Sequence, residues 1–386
     1  MQSIAFTGAR VFDSERWHDD AALLIRGDTV EAIVTEDAVP SGTERRQLDG
    51  GMLVPGFIDL QVNGGGGVLL NEDRSVNGLR TICAAHYQFG TTALLPTLIT
   101  DTPEITAEAV AAGEAAVSSA IPGFLGLHLE GPHLSVARKG AHDPALIRPM
   151  SDVDLDNLVA ARRRLPNLLV TVAAETVPPA QIASLADAGI IVSIGHSDAG
   201  FAVVGAAEAA GASMVTHLFN AQSQLSNREP GVVGAALHLG GIDAGLIADG
   251  IHVHPATIAA ALRAKVGPGR IFLVTDAMSV IGTDIESFTL NGRRISRANG
   301  ALRLDDGTLA GADLTMIEAI VYTHETIGLS LEEALRMAST YPASAMGIAG
   351  RHGALKDGQI ASFVHLDDDL AVKATWIDGA EAWSAH

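Results

Sequence analysis

Eight short apolar runs, most of them separated by alanine-rich segments of helical length, constrain this chain more than any other feature. The runs are Leu53 to Leu60, Thr92 to Leu98, Phe124 to Leu129, Leu168 to Val172, Ile190 to Ile194, Met214 to Thr216, Ala244 to Ala248 and Ile271 to Thr275. The intervening segments include Pro103 to Ser119, Asp152 to Leu165, Ala180 to Ala188 and Phe201 to Ala210. A short run that is apolar without alternation reads as a strand covered on both faces, and strands that alternate with helices run parallel. Eight such units predict a sheet that closes on itself, a (β/α)8 TIM-like barrel over residues 53–350. Helix starts fall where expected: Thr102 can cap ahead of Pro103, and Ser330 with Glu333 makes a capping-box pattern. The weakest unit follows His217, where Phe219 to Gly241 reads as a long loop rather than a helix. Long loops at the carboxyl ends of barrel strands usually bind something.

The pattern changes outside this region. Ile4 to Thr7, Ala21 to Ile25, Val30 to Val34 and Arg45 to Leu48 are short strand-like segments, as are Ile360 to Leu366 and Lys373 to Ile377. Neither end could bury a core alone, so 1–52 and 351–386 are expected to pair into one small β-sandwich. A polar insert near 286–312, with Phe288 to Leu304 at its centre, carries an Asn291-Gly292 hairpin signal. It lies after the eighth strand and is placed to reach over the barrel mouth.

Charges interrupt every apolar run well short of the roughly 18 residues a membrane span needs. The opening residues lack the basic and apolar regions of a secretory signal, and the single cysteine, Cys83, cannot form an internal disulfide. A cytoplasmic location is the resulting expectation, with Cys83 a packing residue of a helix around Leu79 to Tyr87. A net charge of −20 argues against nucleic acid or an anionic membrane as partner. The same charge requires that any anionic metabolite be held by local donors.

Four of the apolar runs end on, or run directly into, groups that bind metals or move protons: Glu130, His196, His217 and Asp276. Singly, a buried histidine at a strand end is an ordinary satisfied core group. As a set, Glu130, His196 and His217 are two imidazoles and a carboxylate on three strand ends, suited to zinc, with iron or manganese as other candidates. Such an ion lowers the pKa of a water and polarises a carbonyl, and Asp276 is free to take and return a proton. Hydrolysis of an amide or ester suits that arrangement.

The order Pro55-Gly56-Phe57-Ile58-Asp59, His128-Leu129-Glu130-Gly131-Pro132, Gly195-His196-Ser197, Thr216-His217-Leu218-Phe219-Asn220-Ala221, Arg228-Glu229-Pro230-Gly231 and Thr275-Asp276-Ala277 resembles the N-acetylglucosamine-6-phosphate deacetylase family of the amidohydrolase superfamily. The resemblance spans nearly the whole chain. It implies release of acetate from N-acetylglucosamine 6-phosphate in amino-sugar catabolism, with one divalent ion on Glu130, His196 and His217 and with Asp276 as general base and acid. By the same carry-over His142 positions the sugar or polarises the acetamide carbonyl, and the backbone of Asn220 and Ala221, with Arg228 and His252, takes the phosphate. The family's active form implies a homodimer in which one subunit's arginine closes the other's site. Where many amidohydrolases have His-x-His this chain has Gln61-Val62-Asn63; neutral amides are poor zinc ligands, so one tightly held ion is expected and Gln61 is left to orient a water or line the site. Gly64 to Gly67 reads as a tight turn. Gln222, and Ala312 beside Leu309 and Ala310, depart from the family pattern around the sugar and acetyl pocket. The galactosamine epimer is the alternative substrate, and a non-catalytic sugar-phosphate-binding barrel is the alternative from another class.

Overall fold

The computed structural model describes residues 2–385. An eight-stranded parallel sheet is formed by β1 (Phe57–Val62), β2 (Thr91–Ile99), β3 (Leu127–Glu130), β4 (Leu168–Val172), β5 (Ile191–Ile194), β6 (Met214–Val215), β7 (Asp243–Leu246) and β8 (Ile271–Leu273). Sequential strands are neighbours throughout, so the order β8 to β1 is the chain order reversed. The ring closes between its first and last members through a parallel bridge from Val62 to Ala277, with Asp276 N donating to Gln61 O at 3.0 Å. All nine residues of β2 and all six of β1 are buried, which is why these strands read as unbroken apolar runs.

The run Leu53 to Leu60 is two strands. Met52–Pro55 belongs to a different, mixed sheet, and β1 begins after Gly56, whose missing Cβ would lie 2.1 Å from Thr92 Oγ1. Close backbone approach there requires glycine. The connecting helices are α1 (Val76–Tyr87), α2 (Pro103–Ser118), α3 (Asp152–Arg162), α4 (Pro179–Asp187), α5 (Phe201–Ala209), α6 (Gly231–His238) and α7 (Pro255–Ala264). Thr102 accepts from Ile105 N, and Ser151 with Asp154 makes a full capping box at α3. The expected box at Ser330 is half made: Ser330 Oγ accepts from Glu333 N, but the Glu333 carboxylate goes to Arg336 and Tyr341. The long loop expected from Phe219 ends at Pro230, and α6 follows it. Cys83 is fully buried in α1, and burial pushes its thiol up to about 12, so it packs rather than reacts.

The insert is larger than one hairpin. Strands β9 (Ser287–Leu290), β10 (Arg293–Ala298), β11 (Ala301–Leu304) and β12 (Leu309–Ala312) form an antiparallel meander. Asn291-Gly292 and Asn299-Gly300 make its first two turns, all four residues having positive φ, as type I′ turns require. Ala312 bridges Ala277, so this sheet joins the barrel at its closing seam. Gly64 to Gly67 is a tight hairpin, with Gly66 and Gly67 at φ 60° and 86°.

By internal contacts the chain separates into Leu60–Ala85 with Leu94–Leu314, and Met1–Asp59 with His86–Ala93 and Thr315–His386. The second unit contains two sheets. One orders Thr29–Thr35, Ala21–Arg26, Ser3–Thr7 and Glu44–Gln47; the other includes Arg10–Phe12, Met52–Pro55, Phe363–Leu366, Val372–Ile377 and Ala380–Ser384. Phe6, Leu23, Leu53, Phe363 and Trp376 form their shared core, with Phe363 stacked on Trp376 at 4.8 Å and Phe6 edge-on to both. Both chain ends therefore contribute to one sandwich. Among the described residues no helix is long and apolar enough to cross a membrane.

Candidate active site

Glu130 ends β3, while His196, His217 and Asp276 come two or three residues after β5, β6 and β8. The last three carry positive φ, at 47°, 27° and 53°. Non-glycine residues pay of order 1–3 kcal/mol for such backbone, and it clusters where function demands it. Gly195 makes the turn into His196 possible, since a Cβ there would lie 2.7 Å from Thr171 Cγ2.

These turns bring three donor atoms together. Glu130 Oε1 lies 3.2 Å from His196 Nε2 and 3.0 Å from His217 Nε2, and the two nitrogens are 3.1 Å apart. Donors about 2.0–2.1 Å from an ion at tetrahedral corners are about 3.3 Å from one another. The triangle is therefore one face of such a site. His196 Nδ1 is bound to Arg138 O at 2.9 Å, which leaves Nε2 as the ligating atom, the usual outer-sphere arrangement for a metal-binding histidine. His142 adds a nearby nitrogen: Nε2 is 3.7 Å from Glu130 Oε2, and Glu130, His142 and His196 alone form a buried group able to hold an ion. The chemistry and spacing of these donors fit a divalent cation.

Electrostatics agree. Burial would raise the Glu130 carboxyl, but hydrogen bonds from His196 and His217 outweigh it and hold the group well below the usual carboxylate range. Burial opposes charge on His217, and the Glu130 contact more than offsets it, raising that ring. Burial, then the negative charge of Glu130, pushes Asp276 up to about 6. Burial and then the His196 ring press His142 down to about 3, so it is neutral near pH 7. A cation would relieve the crowding of the two carboxylates.

Asp276 is held from one side only. Its Oδ1 accepts from Gln61 Nε2 at 3.1 Å and from Asn63 Nδ2 at 2.7 Å, leaving Oδ2 for proton exchange. Gln61 Nε2 also reaches Glu130 Oε1 at 3.1 Å. Gln61 is thus beneath the site, bridging carboxylates in the barrel interior, while Asn63 is on the pocket wall.

The pocket above the triangle is a cavity of about 500 Å³, large enough for a sugar phosphate. His142, Asn220, Ala221, His252, Leu309 and Ala310 all line it. His252 Nδ1 is fixed by Asp249 Oδ2 at 2.6 Å. Arg228 is exposed and not part of the wall, and its neighbour Glu229 accepts from Phe201 N and Gly231 N. Arg138 and Arg303 supply cationic wall in its place. Sequence reasoning missed both, along with Asn63 as a wall residue and Thr100 beneath His142. The basic pair Arg138-Lys139 before Gly140 was a usable signal; Thr100 and Arg303 carried none. His128 is a packed barrel residue, held between Thr97 and Thr171 and pushed down to about 4 by burial. His133 ties its own loop, bonding to Arg148 O.

A barrel with a buried carboxylate–histidine triangle at the carboxyl ends of its strands defines a metal-dependent hydrolase, and the chain belongs to the amidohydrolase family, whose sequence model matches residues 52–382. The NagA composite domain matches residues 4–53. Among individual relatives, the N-acetylgalactosamine-6-phosphate deacetylase of Shewanella sp. (strain ANA-3) is 41% identical over 95% of this chain and 96% of its own. The N-acetylglucosamine-6-phosphate deacetylase of Haemophilus influenzae is 36% identical over 93% and 94%. The crystal structure of N-acetylglucosamine-6-phosphate deacetylase from Pasteurella multocida superposes with a TM-score of 0.95 at 37% identity, covering all of both chains.

Proposed function

We propose that this chain hydrolyses the acetamide of N-acetylglucosamine 6-phosphate, giving glucosamine 6-phosphate and acetate. The observation that carries the reading is the convergence of Glu130 Oε1, His196 Nε2 and His217 Nε2 to within 3.2 Å beside Asp276, under a cavity of sugar-phosphate size. Glu130, His196 and His217 are the residues that would hold a divalent ion, zinc in our reading, which supplies Lewis acidity and lowers the pKa of a water toward about 7.

The chain's own groups do the rest. Asp276 Oδ2 takes a proton from the attacking water while Oδ1 stays clamped by Gln61 and Asn63. The same carboxyl then delivers that proton to the departing nitrogen, so the C–N bond breaks to a neutral amine and acetic acid, and transfer of the acid's proton to the amine leaves the ammonium and acetate. His142 meets the acetamide, and the wall at Leu309 and Ala310 packs the sugar. Backbone N–H groups of Asn220 and Ala221, with the His252 ring, take the phosphate. Arg228, exposed on its own chain, is assigned in this reading to the phosphate of a partner subunit in a homodimer. Cys83, buried and the single cysteine, supports a cytoplasmic setting.

The galactosamine epimer is a second reading, favoured by the 41% identity to the Shewanella enzyme. Measuring kcat/KM for both N-acetylhexosamine 6-phosphates and for unphosphorylated N-acetylglucosamine decides between them. The gluco phosphate is expected to lead; a clear lead for the galacto phosphate reassigns the substrate. Equal rates without phosphate would remove Asn220, Ala221, His252 and Arg228 from their roles.

A further inference from the structure

We propose that Thr100 is a positioning residue that selects the working tautomer of His142, an inference that rests on placing His142 in the reaction above. Thr100 directly follows β2 and is 1% exposed. Its Oγ1 lies 2.8 Å from His142 Nδ1 and 3.3 Å from the carbonyl oxygen of Glu130. The hydroxyl either gives its one hydrogen to Nδ1, or gives it to the Glu130 carbonyl while accepting from an Nδ1–H.

The contact to Nδ1 is short, at 2.8 Å, in either arrangement, so the other ring nitrogen decides between them. At the far side of the ring, Nε2 faces Glu130 Oε2 at 3.7 Å, where a ring lone pair would be repelled by the carboxylate and an N–H attracted. That geometry points to the ring hydrogen on Nε2, with Thr100 Oγ1–H donating to Nδ1. His142 then presents an N–H to the pocket without carrying a charge. A neutral donor aimed where negative charge develops on the acetamide oxygen stabilises the tetrahedral state more than the ground state.

Space for this contact comes from Gly131, which has φ 87°. A Cβ there would lie 2.2 Å from Thr100 Oγ1, so the hydroxyl occupies the volume a side chain would need. Thr100 after β2, Gly131 after β3 and His142 in the following loop thus form one unit, assembled from segments separated by 30 and 42 residues. No sequence pattern marks it.

The test is nitrogen-15 spectroscopy of the histidine rings in the metal-loaded protein, with His142→Gln used to assign the signal. The expected result is a protonated Nε2 and an unprotonated Nδ1. Thr100→Val should mix the two tautomers and lower kcat per bound metal ion by about tenfold, the loss of one positioned hydrogen bond, with KM little changed. Thr100→Ser should restore both readouts. A wild-type ring protonated at Nδ1, or Thr100→Val with kcat within about twofold of wild type, overturns the proposal. The ring signal needs no substrate, so it stays readable even if the deacetylase reading fails.

Discussion

At the scale of single residues, the site is built from groups that the fold holds at a cost. His196, His217 and Asp276 have left-handed backbone, and Asp276 keeps a carboxylate beside that of Glu130. Asp276→Asn addresses both, since asparagine tolerates this backbone and carries no charge. We expect it to bind metal, to lose turnover by about a thousandfold, and in metal-free form to melt a few degrees above the metal-free wild type. Near-normal kcat would remove Asp276 from the mechanism. The pH profile carries the same assignment: Asp276 works ionised and is raised to about 6, so kcat/KM should fall as pH drops through that value. A bound cation pulls the limb lower, never higher, and a limb above pH 7 would contradict it. The four principal residues were legible because each ends or closely follows an apolar run. Thr100 and the clamping geometry of Gln61 and Asn63 were not, because their meaning lies in contacts across strands. Arg228 was legible only through resemblance, and the structure shows it exposed, outside the pocket wall.

Among the elements, all eight barrel strands were readable from their runs, whereas α6 was not. Every residue of α6 except His238 is buried, so it has no polar face to generate a period, and Gly231 and Gly234 depress its helix propensity. The second hairpin of the insert was missed although Asn299-Gly300 repeats the signal at Asn291-Gly292. Helix α3 offers a test at this scale. Asp154 accepts from Ser151 N and Oγ and forms a bidentate pair with Arg148, holding its carboxyl well below the usual range. A lowered folded pKa gives stability that is present above the unfolded value of about 3.9 and is lost as pH falls through the folded one. Asp154→Asn should therefore lower the melting temperature at pH 7, with the difference from wild type shrinking below about pH 4. A constant difference from pH 7 to pH 3 would show that packing, not charge, sets the effect.

For the whole molecule, a charge of −20 means that phosphate binding depends on local donors, and part of that set is proposed to cross between subunits. Complementation tests this. Arg228→Ala and Asp276→Asn should each be nearly inactive, but random re-mixing of the two should restore about a quarter of wild-type activity, because half the dimers are mixed and each has one complete site. No recovery would place Arg228 within its own chain or outside the reaction. The barrel's closing seam bears on motion as well as shape. Asp276 N donates to Gln61 O of β1, and Asp276 O accepts from Ala312 N of the insert at 2.8 Å. The peptide groups on either side of the base are therefore rungs in two ladders, one belonging to the barrel and one to the meander that lines the pocket. The Ala312 amide is therefore a reporter on the base: loading the site is expected to slow its hydrogen exchange, and unchanged exchange would show that the meander and the base move independently.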